Sequence, residues 1–168
     1  MTSPPADIYA FLDAHGISFE RLDHPPVYTV EEASRLVPPG PGASTKNLFL
    51  RDEKGRRHFL LTVAHDKHVD LRRLAGVLGS TKLSLGSPER LAKYLGVEPG
   101  AVTILALIND PERQVEVFID QDLWKSTALR CHPLVNTATL IVPREGVERF
   151  LAATGHSYRL IKIPTAGC

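Results

Sequence analysis

One segment, Gly42-Ala43-Ser44-Thr45-Lys46-Asn47-Leu48-Phe49-Leu50, leads from small and polar residues directly into an apolar strand. Side chains alternate between the two faces of a strand, so Lys46 shares a face with Leu48 and Leu50. This places its ammonium along an otherwise buried surface, although lysines at the ends of elements are mostly solvated. The segment therefore predicts a functional site with polar side chains where a buried strand begins.

The composition limits the kind of fold. The chain has 168 residues, 43% of them hydrophobic and 23% charged, which is usual for one globular domain that buries its own core. We therefore predict a single domain over residues 1–168. The formal net charge is +1, so contact with RNA would need a local basic patch.

The cysteines and the N-terminus indicate the cell compartment. Cys131 and Cys168 form neither a CxxC pair nor a zinc spacing, which predicts a cytoplasmic protein without disulfides. The N-terminus lacks a basic segment followed by an apolar one, and no apolar run approaches about 18 residues. We expect neither export nor a membrane span.

Turn and capping residues divide the chain into about five helices and about seven strands. The first predicted helix contains Ile8. The four later helices are predicted to begin at Thr29, Asp70, Ser87 and Pro143. The turn Asp52-Glu53-Lys54-Gly55 predicts a hairpin after the Lys46 strand, and the apolar run 102–108 predicts a strand buried on both faces. The fold class is therefore α/β of the α+β type, with a mixed or antiparallel sheet.

The sequence was compared with the patterns of metal sites, nucleophilic active sites and nucleotide-binding loops. His65 and His68 could begin a metal site, but no third ligand follows at a recognisable spacing. Ser44 or Thr45 could act as a nucleophile with Lys46 as base, although no Gly-x-Ser-x-Gly segment exists. The glycine-rich motifs that bind ATP or dinucleotides are also absent from the sequence.

Four separated motifs point to a known family. They are His24-Pro25-Pro26-Val27-Tyr28-Thr29, Thr45-Lys46-Asn47-Leu48-Phe49-Leu50, Gly96-Val97-Glu98-Pro99-Gly100 with its continuation to Asn109-Asp110, and Cys131-His132-Pro133-Leu134-Val135-Asn136-Thr137. In this order the chain resembles the freestanding trans-editing proteins of the YbaK and prolyl-tRNA-synthetase insertion-domain superfamily. Within it, the chain looks most like the branch that clears alanine from tRNA for proline.

The resemblance implies a single domain with a mixed, largely antiparallel and partly barrel-like sheet. It also implies an aminoacyl-tRNA deacylase without metal or cofactor, in which a ribose hydroxyl of the tRNA assists the reaction. Lys46 would bind a phosphate or the ester end of the substrate, while backbone N–H groups of Gly100, Ala101 and Val102 would stabilise an oxyanion. The implied substrate-binding residues are Tyr28, Thr45, Asn47, His132 and Asn136.

The resemblance also suggests partners. The acceptor end of a mischarged tRNA would be the substrate, and prolyl-tRNA synthetase or an elongation factor could deliver it. Basic residues concentrate in the first half of the chain, and they could form either a patch that binds RNA or a solvated charged face. They are Lys46, Lys54, Arg56, Arg57, Lys67, Arg72, Arg73 and Lys82.

Two features leave the interpretation open. The alternative function is a non-catalytic module that binds tRNA or a synthetase. Ile104 stands where the family commonly has proline in a Gly-x-x-x-Pro loop, which bears on which small amino acid is removed.

Overall fold

The computed structural model describes residues 5–27, 32, 35–36 and 40–166, and within these ranges eight strands form two sheets. The strands are β1 (Glu20–Asp23), β2 (Thr45–Arg51), β3 (His58–Ala64), β4 (Ser84–Leu85), β5 (Val115–Asp120), β6 (Ala128–Cys131), β7 (Ala138–Pro143) and β8 (Tyr158–Ile161). One sheet has the order β1-β7-β6 and the other β4-β2-β3-β5-β8.

Most strand pairs are antiparallel. Only β3 with β5 and β5 with β8 run parallel among the pairs in the described ranges. The expected mixed, largely antiparallel α+β architecture is therefore confirmed, and the hairpin of β2 and β3 lies where its turn residues predicted it. The partly barrel-like closure stays a prediction.

Four α-helices are described in full: α1 (Pro5–Ala14), α2 (Leu71–Leu78), α3 (Pro88–Leu95) and α4 (Arg144–Thr154). The side chains of Asp70 and Ser87 cap α2 and α3 by accepting hydrogen bonds from backbone N–H groups, as predicted. Glu32, Arg35 and Leu36 also have helical backbone. These three residues lie within the range of the further helix predicted from Thr29 to Leu36, and Thr29 itself lies outside the described residues.

The apolar run 102–108 does not form the predicted strand. It leads instead from one short 3-10 helix, Pro99–Ala101, into a second, Ile104–Asn109. Thr103 caps the second helix, because its hydroxyl accepts a hydrogen bond from the Leu105 N–H at 3.2 Å. A short, largely apolar run cannot distinguish a buried strand from a buried helical segment, and Thr103 is the local residue that favours the start of a helix.

Two apolar clusters cover opposite faces of the five-stranded sheet. Alternate residues of β3 enter different clusters, Leu60 the larger and Leu61 the smaller, as expected for a strand buried on both sides. The larger cluster includes residues of the 3-10 helix Ile104–Asn109 and of α1, α3 and α4, and the smaller includes residues of α2.

A short seam joins the two sheets just before β2. Ala43 forms a parallel bridge with Leu129 of β6, donating to the Ala128 carbonyl and accepting from the Arg130 N–H, both at 2.9 Å. Gly42 has φ +92, and a Cβ there would lie 3.1 Å from the side chain of Ile141. The close approach therefore favours glycine. The seam brings the start of β2 against β6, a strand that the sequence did not predict.

Candidate functional site

Lys46 is the second residue of β2 and is half-buried. Its ammonium donates a hydrogen bond to the backbone carbonyl of Lys67, in the loop after β3. Burial lowers the pKa of Lys46, and the nearby Asp66 carboxylate partly opposes this shift. The predicted alternation holds, because on the same face Leu50 belongs to the smaller apolar cluster and the partly buried Leu48 packs against it. Lys46 is therefore a cation held at a fixed place at the end of a buried surface.

Thr45 and Asn47 occupy the opposite face of β2. The Thr45 hydroxyl donates to the Arg130 carbonyl at 2.5 Å, next to the seam. The Asn47 side-chain oxygen accepts from the hydroxyl of Thr62, its partner across the β2–β3 pair, at 2.7 Å. With that oxygen occupied, the amide presents its two N–H donors away from Thr62. The sequence did not indicate Thr62, since a threonine inside an apolar strand carries no signal of its own.

His132 lies in the connection between β6 and β7. Its Nδ1 donates to the Ala138 carbonyl at 3.2 Å, so in the neutral ring Nε2 carries the lone pair. Burial lowers the pKa of His132, the hydrogen bond to Ala138 opposes the shift, and the nearby His24 adds to it. The ring is therefore an uncharged acceptor near neutral pH.

Asn136 connects this loop to the first motif. Its side chain donates to the Val27 carbonyl at 3.3 Å, and its own carbonyl accepts from the Val27 N–H at 3.3 Å. The first and fourth motifs are thus adjacent although they are more than a hundred residues apart in sequence. Leu134, in the same loop, has φ +67, a costly conformation for a bulky side chain.

His24 is a buried histidine to which the sequence assigned no role. It is 8% exposed, and its Nδ1 donates to the Pro25 carbonyl at 2.8 Å. Its Nε2 lies 2.8 Å from the Thr139 hydroxyl on β7, which must donate to it in the neutral ring. Both ring nitrogens are therefore used, and His24 fixes the chain leaving β1.

Gly100 and Ala101 lie in the first 3-10 helix, and Val102 follows it directly. The Ala101 N–H already donates to the Glu98 carbonyl at 2.9 Å, which leaves Gly100 and Val102 as the candidate backbone donors. Within the described ranges, no hydrogen bond joins this turn to the other site residues. Tyr28 lies outside the described residues.

The structure adds nothing to the hypothesis of a histidine metal site. Of the residues that the structure describes, no three His, Cys, Asp or Glu side chains are grouped to hold a metal ion. In the same ranges, no helix has the length and apolar character needed to cross a bilayer. The described contacts join the start of β2 to β6 through Thr45 and Arg130, and β6 leads into the connection that carries His132.

Comparisons with known proteins cover nearly the whole chain. A family model described as "Aminoacyl-tRNA editing domain" matches residues 24–150, which include all four motifs. The chain is 38% identical over 156 residues to "Prolyl-tRNA editing protein ProX" of Acetoanaerobium sticklandii, which covers 93% of this chain and 95% of the relative. It is 39% identical over 153 residues to "Prolyl-tRNA synthetase associated domain-containing protein 1" of Danio rerio, covering 90% and 83%.

The fold also resembles solved structures. A crystal structure described as a candidate trans-editing enzyme for prolyl-tRNA synthetase matches with a TM-score of 0.67, covering 99% of this chain and 100% of that one. The two sequences are 20% identical, so this likeness concerns the fold.

Proposed function

The chain belongs to the aminoacyl-tRNA editing domain family, and on this basis we propose that it is a cytoplasmic hydrolase that edits tRNA mischarged by prolyl-tRNA synthetase. The observation that carries the proposal is the half-buried ammonium of Lys46, held at the start of β2 by the Lys67 carbonyl. The similarity to ProX over most of both chains supports the same activity.

The amino acid removed is alanine in this proposal. A synthetase pocket built for proline cannot strongly reject the smaller alanine, because one missing methylene is worth only about 1–3 kcal/mol. A second, smaller site that hydrolyses the wrong ester supplies the missing discrimination. The editing site therefore needs a small pocket for the amino acid and a strong contact to the tRNA end.

The side chains suit a reaction without a protein nucleophile. The Thr45 hydroxyl already donates to Arg130, and burial raises the pKa of the Cys131 thiol to about 12, which keeps it protonated and unreactive at neutral pH. We therefore assign the attack to water, activated by a ribose hydroxyl of the tRNA. Water adds to the ester carbonyl, the ribose oxygen leaves with a proton, and free amino acid and tRNA result.

Each polar group then has one role. The Lys46 ammonium binds a phosphate or the ester end of the substrate as a point charge. The Asn47 amide donates to the substrate, and His132 Nε2 accepts from it. Backbone N–H groups of Gly100 and Val102 are the candidate donors to the oxyanion, where preorganised donors contribute most.

Ester hydrolysis on purified tRNA tests this proposal. Alanyl-, cysteinyl-, seryl- and prolyl-tRNA for proline are incubated with the protein, with Lys46→Ala, and with Lys125→Ala as a control at an exposed lysine outside the basic residues of the first half. We expect loss of alanine first, a roughly 100-fold slower reaction for Lys46→Ala, and no change for the control. Binding of tRNA without loss of any ester would instead establish the non-catalytic alternative.

Delivery by a partner is tested in the same assay. The name of the Danio rerio relative associates it with prolyl-tRNA synthetase, and we propose that the synthetase or an elongation factor hands over the mischarged tRNA. Adding either protein should then raise the deacylation rate at low tRNA concentration. An unchanged rate with both would contradict delivery while leaving the hydrolase proposal intact.

A further inference from the structure

The loop that receives the Lys46 hydrogen bond is anchored by a buried ion pair. We refer to His65–Asp70 as the receiver loop. The Lys67 ammonium lies 2.5 Å from the Asp120 carboxylate at the end of β5, with the two side chains 12% and 2% exposed. The same residue therefore offers its carbonyl to Lys46 and its side chain to Asp120.

The C-terminal segment 163–166 holds the receiver loop from the other side. The Ala166 N–H donates to the His68 carbonyl at 2.8 Å, and the Asp70 N–H donates to the Pro164 carbonyl at 3.0 Å. Val69 and Thr165 form an antiparallel bridge between these two bonds. The loop thus has backbone partners along much of its length.

One residue links the two anchors. The second oxygen of the Asp120 carboxylate lies 3.5 Å from the Ile163 N–H, and the Ile163 side chain is 1% exposed in the smaller apolar cluster. Asp120 therefore contacts both the receiver loop and the first residue of the segment that supports it.

We propose that Asp120 and the segment 163–166 are positioning elements for Lys46, a role that rests on the proposed deacylase function. A buried ion pair contributes little net stability, because desolvation offsets the attraction between its charges. A fixed carbonyl, in contrast, confines a lysine ammonium that otherwise samples many rotamers on its flexible stem. Misplacing a substrate-binding group by about 1 Å can cost roughly 100-fold in rate.

Asp120→Asn is the direct test, and Glu116→Gln is its control. Glu116 is on the same strand and pairs with Arg57 at 2.9 Å, away from the receiver loop. Removing the charge of Asp120 should lower kcat/KM on alanyl-tRNA by roughly 10- to 100-fold, whereas the control should retain the wild-type value. Equal values for both variants would overturn the proposal.

A double-mutant cycle distinguishes positioning from general damage to the fold. If Asp120 acts through Lys46, adding Asp120→Asn to Lys46→Ala should change the rate by less than about twofold. A merely structural role would multiply the two losses instead. That multiplicative result would also overturn the proposal, whatever the melting temperatures of the variants.

A second variant covers the case in which Asp120→Asn does not fold. Ala166 is exposed, so Ala166→Pro removes the N–H that bonds His68 and fixes φ at this residue without disturbing buried side chains. Thr165→Ala keeps that N–H as the control. The proline variant should lose activity in the wild-type background and not in the Lys46→Ala background. Unchanged activity of folded Ala166→Pro would contradict a role for the segment.

Hydrogen exchange separates this proposal from the proposed function. Amides of residues 65–68 should exchange faster in Asp120→Asn and in Ala166→Pro than in either control. Wild-type protein that hydrolyses no ester would refute the deacylase function but leave the anchoring measurable. Unchanged exchange in the variants would refute the anchoring, even in an active enzyme.

Discussion

Lys46 and Lys67 form a hydrogen bond from the side-chain ammonium of one to the backbone carbonyl of the other. The bond joins the start of β2 to the loop that follows β3, its antiparallel partner. The two lysines are thus joined through a backbone carbonyl, while the Lys67 ammonium pairs with Asp120. The charge of Lys46 lies in a partly desolvated environment and remains available to bind a substrate.

The pH dependence of activity should reflect this environment. Burial lowers the pKa of Lys46, so the ammonium is lost at a lower pH than in an ordinary lysine, whose pKa is about 10.4. Activity that needs the charge should therefore fall as pH rises through the lowered pKa. Lys46→Arg keeps its charge throughout, so whatever activity it retains should not fall in that range. The measurement is kcat/KM against pH, after subtraction of spontaneous ester hydrolysis, and parallel profiles would contradict the assignment.

Thr62 should matter through Asn47. Thr62→Val has nearly the same shape but removes the hydroxyl that fixes the Asn47 amide, whereas Thr62→Ser keeps it. We expect the valine variant to lose roughly fivefold in kcat/KM, the equivalent of about 1 kcal/mol for one hydrogen bond. The serine variant should stay close to wild type, and equal losses in both would indicate a packing effect instead.

Gly86 should tolerate no side chain. A Cβ there would lie 2.4 Å from the ring of Phe49 on β2, so we expect Gly86→Ala to lower the free energy of unfolding by roughly 1–3 kcal/mol. Gly76 in α2 has no atom within 4 Å of the corresponding position, and Gly76→Ala should raise it by about 0.5–1 kcal/mol. Denaturant unfolding of the pair measures both, and a destabilising Gly76→Ala would contradict the expected gain at this open helical position.

His58 should make the protein less stable in mild acid. It is 2% exposed, and burial, followed by the Arg90 guanidinium, lowers its pKa. The unfolded state, with a histidine pKa of about 6.5, then binds more protons than the folded state. Stability is complete above about pH 6.5 and falls as pH drops toward the lowered value.

The test is the slope of unfolding free energy against pH for His58→Gln, whose amide oxygen can still accept from Arg90 in place of Nε2. The slope below about pH 6.5 should decrease. It should not vanish, because the pKa of His132 is lowered as well. An unchanged slope would show that His58 does not titrate in this range.

The sequence predicted what depends on near neighbours in the chain. The caps of α2 and α3 and the face of Lys46 follow from a few adjacent residues, and the structure confirms them. The acceptor of the Lys46 ammonium lies 21 residues away, and no local pattern indicates a carbonyl. The strand predicted for residues 102–108 was wrong because a local apolar pattern fits both a strand and a helix. Tertiary packing selects between the two.

The seam at Ala43 has a consequence for how such a site can diversify. Lys46 and Asn47 come from one sheet and His132 and Asn136 from beside the other, and the Ala43–Leu129 bridge joins the two in the described ranges. Polar residues on either sheet can therefore change one at a time, because the backbone bonds at the seam do not depend on their side chains. An altered register at the seam would instead displace all polar groups of one sheet together. The seam residues therefore determine the width of the site, and the polar side chains determine its chemistry.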